Sequence, residues 1–458
     1  MAFDGPRDFL GFLDEKGVLA RVSTPVDIVH EIAAYIRKSC DEGGPALHFE
    51  QVKGYDMPVV GGQFNSRERI LEALGCSPDE AHDRFIGGID NPIEPVRAAE
   101  APCQEVVLEG AEVDLNRLPI PTYYSGEGGP YIVHGVHISK DPETGSRNAA
   151  IYVMQLKGRN RLGFEAAPFQ DAYHQFMKAE RQGQPLEIAV ALGVDPVILL
   201  AAAAKVPYGL DELAVAGGLR GKPVEVVKCR TVDQEVPATS EIVFEGRVLP
   251  NHREPQGPFN EFCGYLAPVA DKPIIEVTAV THRASPVFHA CLSGTPSSEN
   301  DFLKQLSNEV SVYRELKAKF PEVKAVHFPT SASSEYHCYV SMPPRYKGQP
   351  KNVILAALGS AKRPKLVIVT DEDIDIFNDA KVLWALSTRF QADRDTVVVP
   401  SVSAAPEDPS SPEPSYSAVM GLDATRPFGE PFAEVPAVPG VEKTPDLWAL
   451  VRKPKAAD

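Results

Sequence analysis

The sequence predicts a mixed α+β and α/β protein built from several packed units, and three observations support this prediction. The chain has 458 residues, which is long for a single hydrophobic core. Helix and strand signals alternate at both ends of the chain, as they do in α/β units. Between about Cys103 and Thr281, short strand signals separated by turn residues dominate. Strands at this density suggest a sheet that curls into a barrel.

Residues 1–102 are expected to form an N-terminal α/β segment. Segments whose apolar residues recur at helical spacing alternate with short strand-like runs of apolar residues. The predicted helices span residues 8–15, 30–38 and 66–74. The predicted strands span residues 18–22, 45–49 and 57–62.

Residues 103–297 are expected to form the strand-rich unit. Its clearest strand signals lie at residues 105–108, 131–138, 150–154 and 274–280. Two helical insertions interrupt them, at Asp171–Arg181 and at the apolar run 201–204.

Residues 298–320 are expected to form a connecting helix, because Leu303, Leu306, Val310 and Leu316 give it one apolar face. Residues 321–458 then alternate strands and helices as a second α/β domain with a terminal tail. Its strand signals lie at residues 326–328, 339–342, 366–370 and 397–400. Residues 403–417 hold four prolines and five serines, which is typical of an irregular or mobile loop. A terminal helix is predicted over residues 446–452.

Composition excludes several classes of protein. The net charge of −17 opposes contact with phosphate backbones and anionic lipid, so we expect no nucleic-acid and no membrane partner. The longest plainly apolar run, residues 197–204, is too short to span a bilayer. The N-terminus lacks a basic region followed by an apolar run, so we expect a cytoplasmic protein without a signal peptide.

The seven cysteines are scattered, and no two are separated by only two residues. An odd number at wide spacing argues against a disulfide framework or a structural zinc site. Ordinary reduced cysteines are the expected interpretation. Cys263, two residues after Glu261, could line a site, although a packing role is favoured.

Two segments carry the strongest functional signal. Residues 143–155 contain Arg-Asn-Ala-Ala-Ile-Tyr-Val, and residues 256–261 read Gln-Gly-Pro-Phe-Asn-Glu. With further blocks in the same order along essentially the whole chain, they resemble the UbiD family of decarboxylases, which use prenylated flavin mononucleotide (FMN). The further blocks are residues 118–121, 126–135, 225–246, 371–376, 383–390 and 420–427.

The resemblance implies a particular architecture and assembly. It implies an N-terminal α/β segment, a flavin-binding split β-barrel, a connecting helix and a C-terminal α/β domain used in oligomerisation. A homo-oligomer, either dimer or hexamer, is therefore expected.

The resemblance also implies a cofactor site. In the family, a divalent metal (here manganese or magnesium) and potassium tie the flavin phosphate to the protein, and a flavin prenyltransferase supplies the cofactor. Asn148 and Glu212 match two of the family's metal ligands. The third ligand, a histidine, falls near Gln170, and His174 one helical turn later could replace it. The residues expected at the cofactor are Asn148, Ala150, Ile151, Val153, Gln170 and Glu212.

Each ligand position has an ordinary structural alternative. Asn148 could simply begin a strand, and Glu212 could be a solvated helix residue. His174 is more readily an ordinary surface or core histidine.

The resemblance breaks at the catalytic residues. The family uses a Glu–Arg–Glu set, and this chain has Gln256, Val153 and Glu261 at those positions. Loss of one partner of a buried ion pair leaves an unpaired charge that costs about 3–5 kcal/mol, whereas loss of both avoids this penalty. The paired replacement is therefore typical of a repurposed site that still folds.

Glu261 is the candidate catalytic acid. Without an arginine beside it, burial should raise its pKa and keep it protonated near neutral pH. A structural glutamate bonded to backbone donors is the alternative. Gln256 and His174 are candidate substrate-pocket residues. Glu254 could also turn inward, and Lys157, Arg159 and Arg161 are either anion-binding groups or, more simply, solvated loop charges.

The sequence predicts a non-oxidative, reversible carboxy-lyase of an aromatic acid, a phenolic acid or an aromatic acyl-coenzyme A thioester. A substrate held by its other groups needs the missing arginine less. The first alternative is a non-catalytic or accessory subunit of a multisubunit carboxylase, and retention of metal and flavin at Asn148 and Glu212 discriminates between the two. The second is another enzyme on the same scaffold, although neither a Gly-x-Ser-x-Gly elbow nor a Walker-type loop is present.

Overall fold

A four-stranded sheet with helices packed around it forms the N-terminal unit of the computed structural model, which describes residues 3–294, 296–413 and 415–444. β1 pairs with β2 in parallel and β2 pairs with β3 antiparallel. The strands are β1 (Leu19–Val22), β2 (Ala46–Phe49) and β3 (Val59–Gly61), and the helices are α1 (Pro6–Glu15), α2 (Glu31–Glu42), α3 (Arg67–Leu74) and α4 (Ala81–Asp90). The helices and strands predicted for this segment are confirmed, to within a few residues at their ends.

Local capping explains where α3 begins and ends. The hydroxyl of Ser66 accepts a hydrogen bond from the backbone N–H of Arg69 at 3.3 Å, which satisfies one free donor of the first turn. Gly75 ends the helix with φ of 65°, a left-handed conformation that glycine adopts without steric cost.

The middle unit is built on a seven-stranded antiparallel sheet. Its strands are β4 (Val96–Arg97), β5 (Val106–Glu109), β6 (Tyr131–Ile132), β7 (Val136–Lys140), β8 (Arg147–Ile151), β9 (Met154–Gln155), β10 (Arg161–Gly163), β11 (Leu186–Leu192), β12 (Glu225–Lys228), β13 (Glu235–Pro237), β14 (Ile242–Gln256), β15 (Phe259–Asn260), β16 (Leu266–Ala267), β17 (Ala270–His282) and β18 (Phe288–His289). Its helices are α5 (Asp171–Arg181), α6 (Pro196–Ala202) and α7 (Glu212–Arg220).

The sheet closes on itself as a split barrel. The strand order is β10-β17-β14-β11-β7-β8, with β5 beside β17. β8 lies at one edge, and the chain continues from it through β9 to a bridge between Leu156 and Leu162, next to β10 at the other edge. β14 bends at two register shifts, and at Gly246 a Cβ atom would lie 2.4 Å from the carbonyl oxygen of Glu276. β18 leaves the barrel and pairs with β3, which joins the first two units.

Helix α8 (Glu299–Lys317) connects the barrel to a C-terminal five-stranded sheet of order β19-β20-β21-β23-β22. The strands are β19 (Ala325–His327), β20 (His337–Ser341), β21 (Leu366–Thr370), β22 (Thr396–Ser403) and β23 (Tyr416–Ala424), and the helices are α9 (Gln349–Leu358), α10 (Asp379–Arg389) and α11 (Ala392–Asp395). The mixed fold expected from the sequence is confirmed.

The prediction of an irregular segment over residues 403–417 is wrong at both ends. Ser403 belongs to β22 and Tyr416 begins β23, because these strands pair antiparallel and extend to the base of the loop. The predicted helix 446–452 lies outside the described residues. In the part of the chain that the structure describes, no helix is long and apolar enough to cross a membrane. The cytoplasmic location stays a prediction.

The carboxylate of Glu309, in the middle of α8, joins the connecting helix to the N-terminal unit and to the C-terminal sheet. It is fully buried and forms two hydrogen bonds with Arg67 of α3, at 2.9 and 2.8 Å. His82 of α4 lies 3.3 Å and His327 of β19 lies 2.6 Å from its oxygens. Burial opposes the charge, but Arg67 and the two histidines hold the pKa of Glu309 well below its usual range.

Glu309→Gln should destabilise the protein by about 3–5 kcal/mol, because it removes the fully buried charge with which the partly buried Arg67 is paired. The measurement is the free energy of unfolding by denaturant titration. Glu42→Gln is the matched control, because Glu42 lies 3.8 Å from Lys38 on an exposed helix face and should change stability by less than about 0.5 kcal/mol. Equal effects of the two substitutions would contradict the role assigned to Glu309.

Candidate functional site

A pocket of about 390 Å³ lies between the barrel and the C-terminal domain. The barrel side consists of β8 and the residues after it, the start of α5, the residues that follow α6, and the turn between β15 and β16. The other side consists of α8 and two loops of the C-terminal domain, residues 361–363 and 405–407. Pockets between domains are common places for cofactors and substrates.

Most of the residues predicted from the sequence meet in this pocket. They come from four separate segments of the chain, so their convergence is a result of folding. The predicted residues that line the pocket are Asn148, Ala150, Ile151, Val153, Gln170, Glu212 and Glu261. Their roles stay predictions, and the shared pocket makes those roles compatible with one another.

Gln256 and His174 do not line the pocket, which corrects their interpretation as pocket residues. Gln256 is only 2% exposed, and its amide donates to the carboxylate of Glu165 at 2.9 Å. His174 lies on the exposed side of α5, because helical periodicity turns Ala172 and Phe176 inward instead. This position gives no support to His174 as a replacement metal ligand.

The other charged candidates from the sequence also lie elsewhere. Glu254 pairs with Arg161 and with His252, so it does not turn inward. Lys157 donates to the carbonyl oxygen of Pro255, and Arg159 donates to that of Val113 at 3.0 Å. The simpler interpretation of these cations as loop charges therefore fits the structure.

One end of the pocket is rich in oxygen ligands. Asn148 and Glu212 are buried there, and Asp171, which the sequence analysis missed, lies beside them at the start of α5. Glu212 accepts a hydrogen bond from the backbone N–H of Ala149 at 2.7 Å, and burial raises the pKa of Glu212 to about 8. The amide nitrogen of Asn148 is buried without a hydrogen-bond partner among the described residues.

This donor set fits a hard divalent cation such as manganese or magnesium. Two carboxylates and an amide are the ligands that such ions prefer. A cation would also supply the positive charge that the buried Glu212 lacks. The described residues contain no preformed group of three His, Cys, Asp or Glu side chains, so the set depends on the amide of Asn148.

Contacts between neighbouring residues hold the oxygen-rich end of the pocket in place. Asp211 caps α7 by accepting a hydrogen bond from the N–H of Leu213 at 2.9 Å. Arg147 of β8 donates to Asp211 at 2.5 Å and also pairs with Glu235. The barrel strand and the helix that carry Asn148 and Glu212 are therefore held together next to the pocket.

Glu261 lies in the turn between β15 and β16. Its backbone N–H donates to the carbonyl oxygen of Tyr265 at 3.0 Å, which closes the turn. Burial raises the pKa of Glu261 to about 8, and the negative charges of Glu165 and Glu407 add to the rise. A raised pKa favours the protonated carboxyl at neutral pH, which is the state expected of a catalytic acid, and the role of Glu261 stays a prediction.

The structure adds cations that sequence reasoning missed. Lys205, Lys304, Lys362 and Arg363 line the pocket. Lys304 lies 3.6 Å from the centre of the Phe262 ring and 3.4 Å from Glu335. Burial lowers the pKa of Lys362 to about 8. These residues carry no local motif, and only their position in the fold identifies them.

The raised pKa of Glu261 predicts how the stability of the folded protein depends on pH. The folded protein keeps this proton up to about pH 8, whereas the unfolded chain releases it near the ordinary value of 4.5. Unfolding should therefore become easier as the pH rises through this window. Glu261→Gln cannot lose a proton, so the stability of the variant relative to the unmodified protein should increase by roughly 1–3 kcal/mol from pH 5 to pH 8.

Denaturant titrations of both proteins across this pH range measure the difference. Glu254→Gln controls for the loss of a carboxylate outside the pocket. A stability difference between Glu261→Gln and the unmodified protein that does not change with pH would show that Glu261 is ionised in the folded state.

Comparison with known proteins identifies relatives of this arrangement. Models of three domains of 3-octaprenyl-4-hydroxybenzoate carboxy-lyase match in order: the UbiD N-terminal domain over residues 10–87, the Rift-related domain over residues 94–296 and the C-terminal domain over residues 301–424. A protein of Archaeoglobus fulgidus, described only as uncharacterized, is 34% identical over 449 residues, which cover 93% of this chain and 92% of that protein.

Solved structures of similar proteins cover nearly the whole chain. The UbiD-class enzyme HmfF from Pelotomaculum thermopropionicum, in complex with FMN, is 40% identical with a TM-score of 0.92, covering 98% of this chain and 100% of HmfF. An evolved dimeric form of HmfF is in complex with prenylated FMN. The vanillic acid decarboxylase of Sedimentibacter hydroxybenzoicus is 31% identical with a TM-score of 0.87, covering 96% of this chain and 97% of that one.

Proposed function

The chain belongs to the UbiD family, and from that premise we propose that it is a prenylated-FMN-dependent decarboxylase of an aromatic acid. The observation that carries the proposal is the convergence of Asn148, Glu212 and Glu261 on one pocket. Two of these residues suit a metal that binds the flavin phosphate, and the third suits proton transfer. The binding of prenylated FMN by a relative 39% identical to this chain supports the choice of cofactor.

The proposed substrate is a free aromatic acid, and a phenolic acid in particular. The decarboxylase of vanillic acid shares 31% of its residues with this chain, which supports that class. Val153 lines the pocket without a charge, so a hydroxyl or other ring substituent would orient the acid.

Asn148, Glu212 and Asp171 would hold the divalent metal, with the phosphate of the flavin as a further ligand. Two cations that line the same pocket, Lys205 and Lys362, would neutralise the remaining phosphate charge. Potassium stays a prediction without an assigned ligand.

When bound, the prenylated flavin supplies an electrophilic centre that accepts electron density as the carboxylate leaves. The bond between the ring carbon and the carboxylate breaks, and carbon dioxide departs. Glu261 then donates its proton to that ring carbon and becomes a carboxylate. A proton from solvent restores the acid, so aromatic acid yields arene and carbon dioxide without net oxidation. With a pKa of about 8, Glu261 holds at neutral pH the proton that it donates.

Glu261→Gln should lower the rate of carbon dioxide release by about 10²–10⁴-fold, because a glutamine cannot donate this proton. The enzyme is purified after co-expression with a flavin prenyltransferase and assayed with a panel of phenolic and other aromatic acids. Flavin content, measured by absorbance of the released cofactor, should not change. Glu254→Gln, outside the pocket, is the control and should retain full activity.

One outcome would contradict the role assigned to Glu261, and another would contradict the decarboxylase proposal. Full activity in Glu261→Gln would remove Glu261 from the reaction. Bound prenylated flavin and metal without turnover of any acid would favour the alternative, an accessory subunit, for which the neutral residues Val153 and Gln256 are the motivation.

Glu212→Gln should lose most bound metal and lower flavin occupancy at least tenfold, because it removes a charged ligand from the oxygen-rich end of the pocket. Elemental analysis and mass spectrometry of released flavin measure both in the same sample. Glu235→Gln is the matched control. Glu235 pairs with Arg147 beside the oxygen-rich end but does not line the pocket. Unchanged metal content in Glu212→Gln would contradict its assignment as a ligand.

A further inference from the structure

Two neutral polar side chains lie together in the wall of the pocket. Ser293 belongs to the segment between β18 and α8, and Asn300 belongs to the first turn of α8. Both line the pocket. The amide nitrogen of Asn300 donates to the hydroxyl oxygen of Ser293 at 3.2 Å. The proposed metal site and the proposed proton transfer use neither residue, so this pair can serve another task.

Backbone contacts hold the two side chains in a fixed relative position. The carbonyl oxygen of Leu292 accepts a hydrogen bond from the backbone N–H of Asn300 at 3.3 Å. The backbone N–H of Leu292 donates to the carboxylate of Glu299 at 3.3 Å, and Glu299 is fully buried. The start of α8 is therefore tied to the residue that precedes Ser293, and the pair is ordered before any ligand binds.

A close approach at Gly294 places the pair beside the proposed proton donor. A Cβ atom on Gly294 would lie 1.9 Å from the amide nitrogen of Asn260 and 2.9 Å from the carbonyl oxygen of Glu261. Only glycine fits there, and its φ of 85° also favours glycine. The segment that carries Ser293 therefore packs directly against the turn that carries Glu261.

The pair offers one hydrogen-bond donor and one acceptor. The Ser293 hydroxyl accepts from Asn300 and keeps its own hydrogen to donate, and the side-chain carbonyl oxygen of Asn300 can accept. Within the described residues, neither of these two functions has a hydrogen-bond partner. A phenolic hydroxyl matches both, because it donates one hydrogen and also accepts. A methoxy group or a carboxylate only accepts, so it would leave the Asn300 oxygen unpaired.

The charges beside the pair favour a neutral ligand group. Lys304 lies one helical turn after Asn300 and also lines the pocket. Its ammonium group lies 3.4 Å from the carboxylate of Glu335 and 3.7 Å from that of Asp301. These carboxylates offset the charge of Lys304, so this wall does not present an unpaired cation to a second carboxylate of the substrate.

We propose that Ser293 and Asn300 form the subsite that recognises the hydroxyl group of a phenolic acid. Ser293 donates to the phenolic oxygen, and Asn300 accepts the phenolic hydrogen. The inference rests on the proposed function, in which a phenolic acid is the substrate. It assigns to two named side chains the orienting contact that the uncharged Val153 does not provide.

The test compares substrates on the flavin-loaded enzyme. The panel contains the three hydroxybenzoic acids, their methoxy counterparts, benzoic acid and the benzenedicarboxylic acids. Asn300→Leu, which keeps the volume but removes the acceptor, should lower kcat/KM for the preferred hydroxybenzoic acid by about 10–100-fold and that for benzoic acid by less than about threefold. Ser293→Ala should act in the same direction, and Ser293→Thr, which keeps the hydroxyl, should restore the preference.

Ser387→Ala is the matched control for Ser293→Ala. The Ser387 hydroxyl donates to the carbonyl oxygen of Leu383 on the exposed face of α10, outside the pocket. This substitution should leave the ratio of kcat/KM values between hydroxybenzoic and benzoic acid unchanged.

A binding measurement gives a second readout that does not depend on turnover. Flavin-loaded Glu261→Gln is titrated with the same acids by calorimetry. The preferred hydroxybenzoic acid should bind at least about tenfold more tightly than its methoxy counterpart, and addition of Asn300→Leu should abolish this difference.

Three results would overturn the subsite. One is a preference for the hydroxybenzoic acid that survives both Asn300→Leu and Ser293→Ala, and another is an equal loss on every acid, which a purely structural role would give. The third is tighter binding of a benzenedicarboxylic acid than of any hydroxybenzoic acid. If Asn300→Leu does not fold, the comparison of Ser293→Ala with Ser293→Thr decides alone.

The two readouts also separate the subsite from the proposed function. Selective binding of a hydroxybenzoic acid that depends on Asn300, in a protein that releases no carbon dioxide from any acid, would retain the subsite and reject the decarboxylase. Decarboxylation of aromatic acids without a preference for the hydroxyl group would retain the decarboxylase and reject the subsite.

Discussion

The burial of one carboxylate, that of Glu309, is the constraint on which the rest of the structure depends. A charge in a protein interior is tolerated only with charged or hydrogen-bonding partners, and here those partners come from α3, α4 and β19. α8 is therefore held against both the N-terminal unit and the C-terminal sheet. Leu303 and Lys304 on the same helix line the pocket, so the shape of the pocket depends on this junction.

Burial of acids is also the physical basis of the pocket's chemistry. Glu212 and Glu261 both have a pKa near 8, and in each case burial is the largest cause. The two carboxyls nevertheless suit different tasks. Glu212 lies beside Asn148 and Asp171, where a cation would favour its charged form. Glu261 lies among carboxylates, which favour its protonated form. Two different surroundings in one pocket thus provide a metal ligand and a proton donor from the same residue type.

The interpretation of the neutral residues Val153 and Gln256 changes once the fold is known. Read along the chain, they indicate a site that has lost its acid–base residues. In the fold, Gln256 lies against Glu165, which is itself paired with Lys272. A pair of opposite charges therefore lies beside Gln256, and residues distant in the sequence supply it. Charge at a site depends on which side chains lie close together, and a motif records only those that are close in sequence.

The sequence by itself determined many of the helices and strands, because capping residues and apolar periodicity act over a few positions. The predicted helix Asp171–Arg181 agrees with the structure at both ends, and Ser66 begins α3 as a local cap. Family motifs placed Asn148, Glu212 and Glu261 in advance. Only the tertiary structure decided that residues 405–407 and Lys362 border the pocket, and that Glu165 bonds to Gln256, 91 positions away. Such contacts depend on how strands and domains pack, and local patterns of sequence hold no information about which distant side chains that packing brings together.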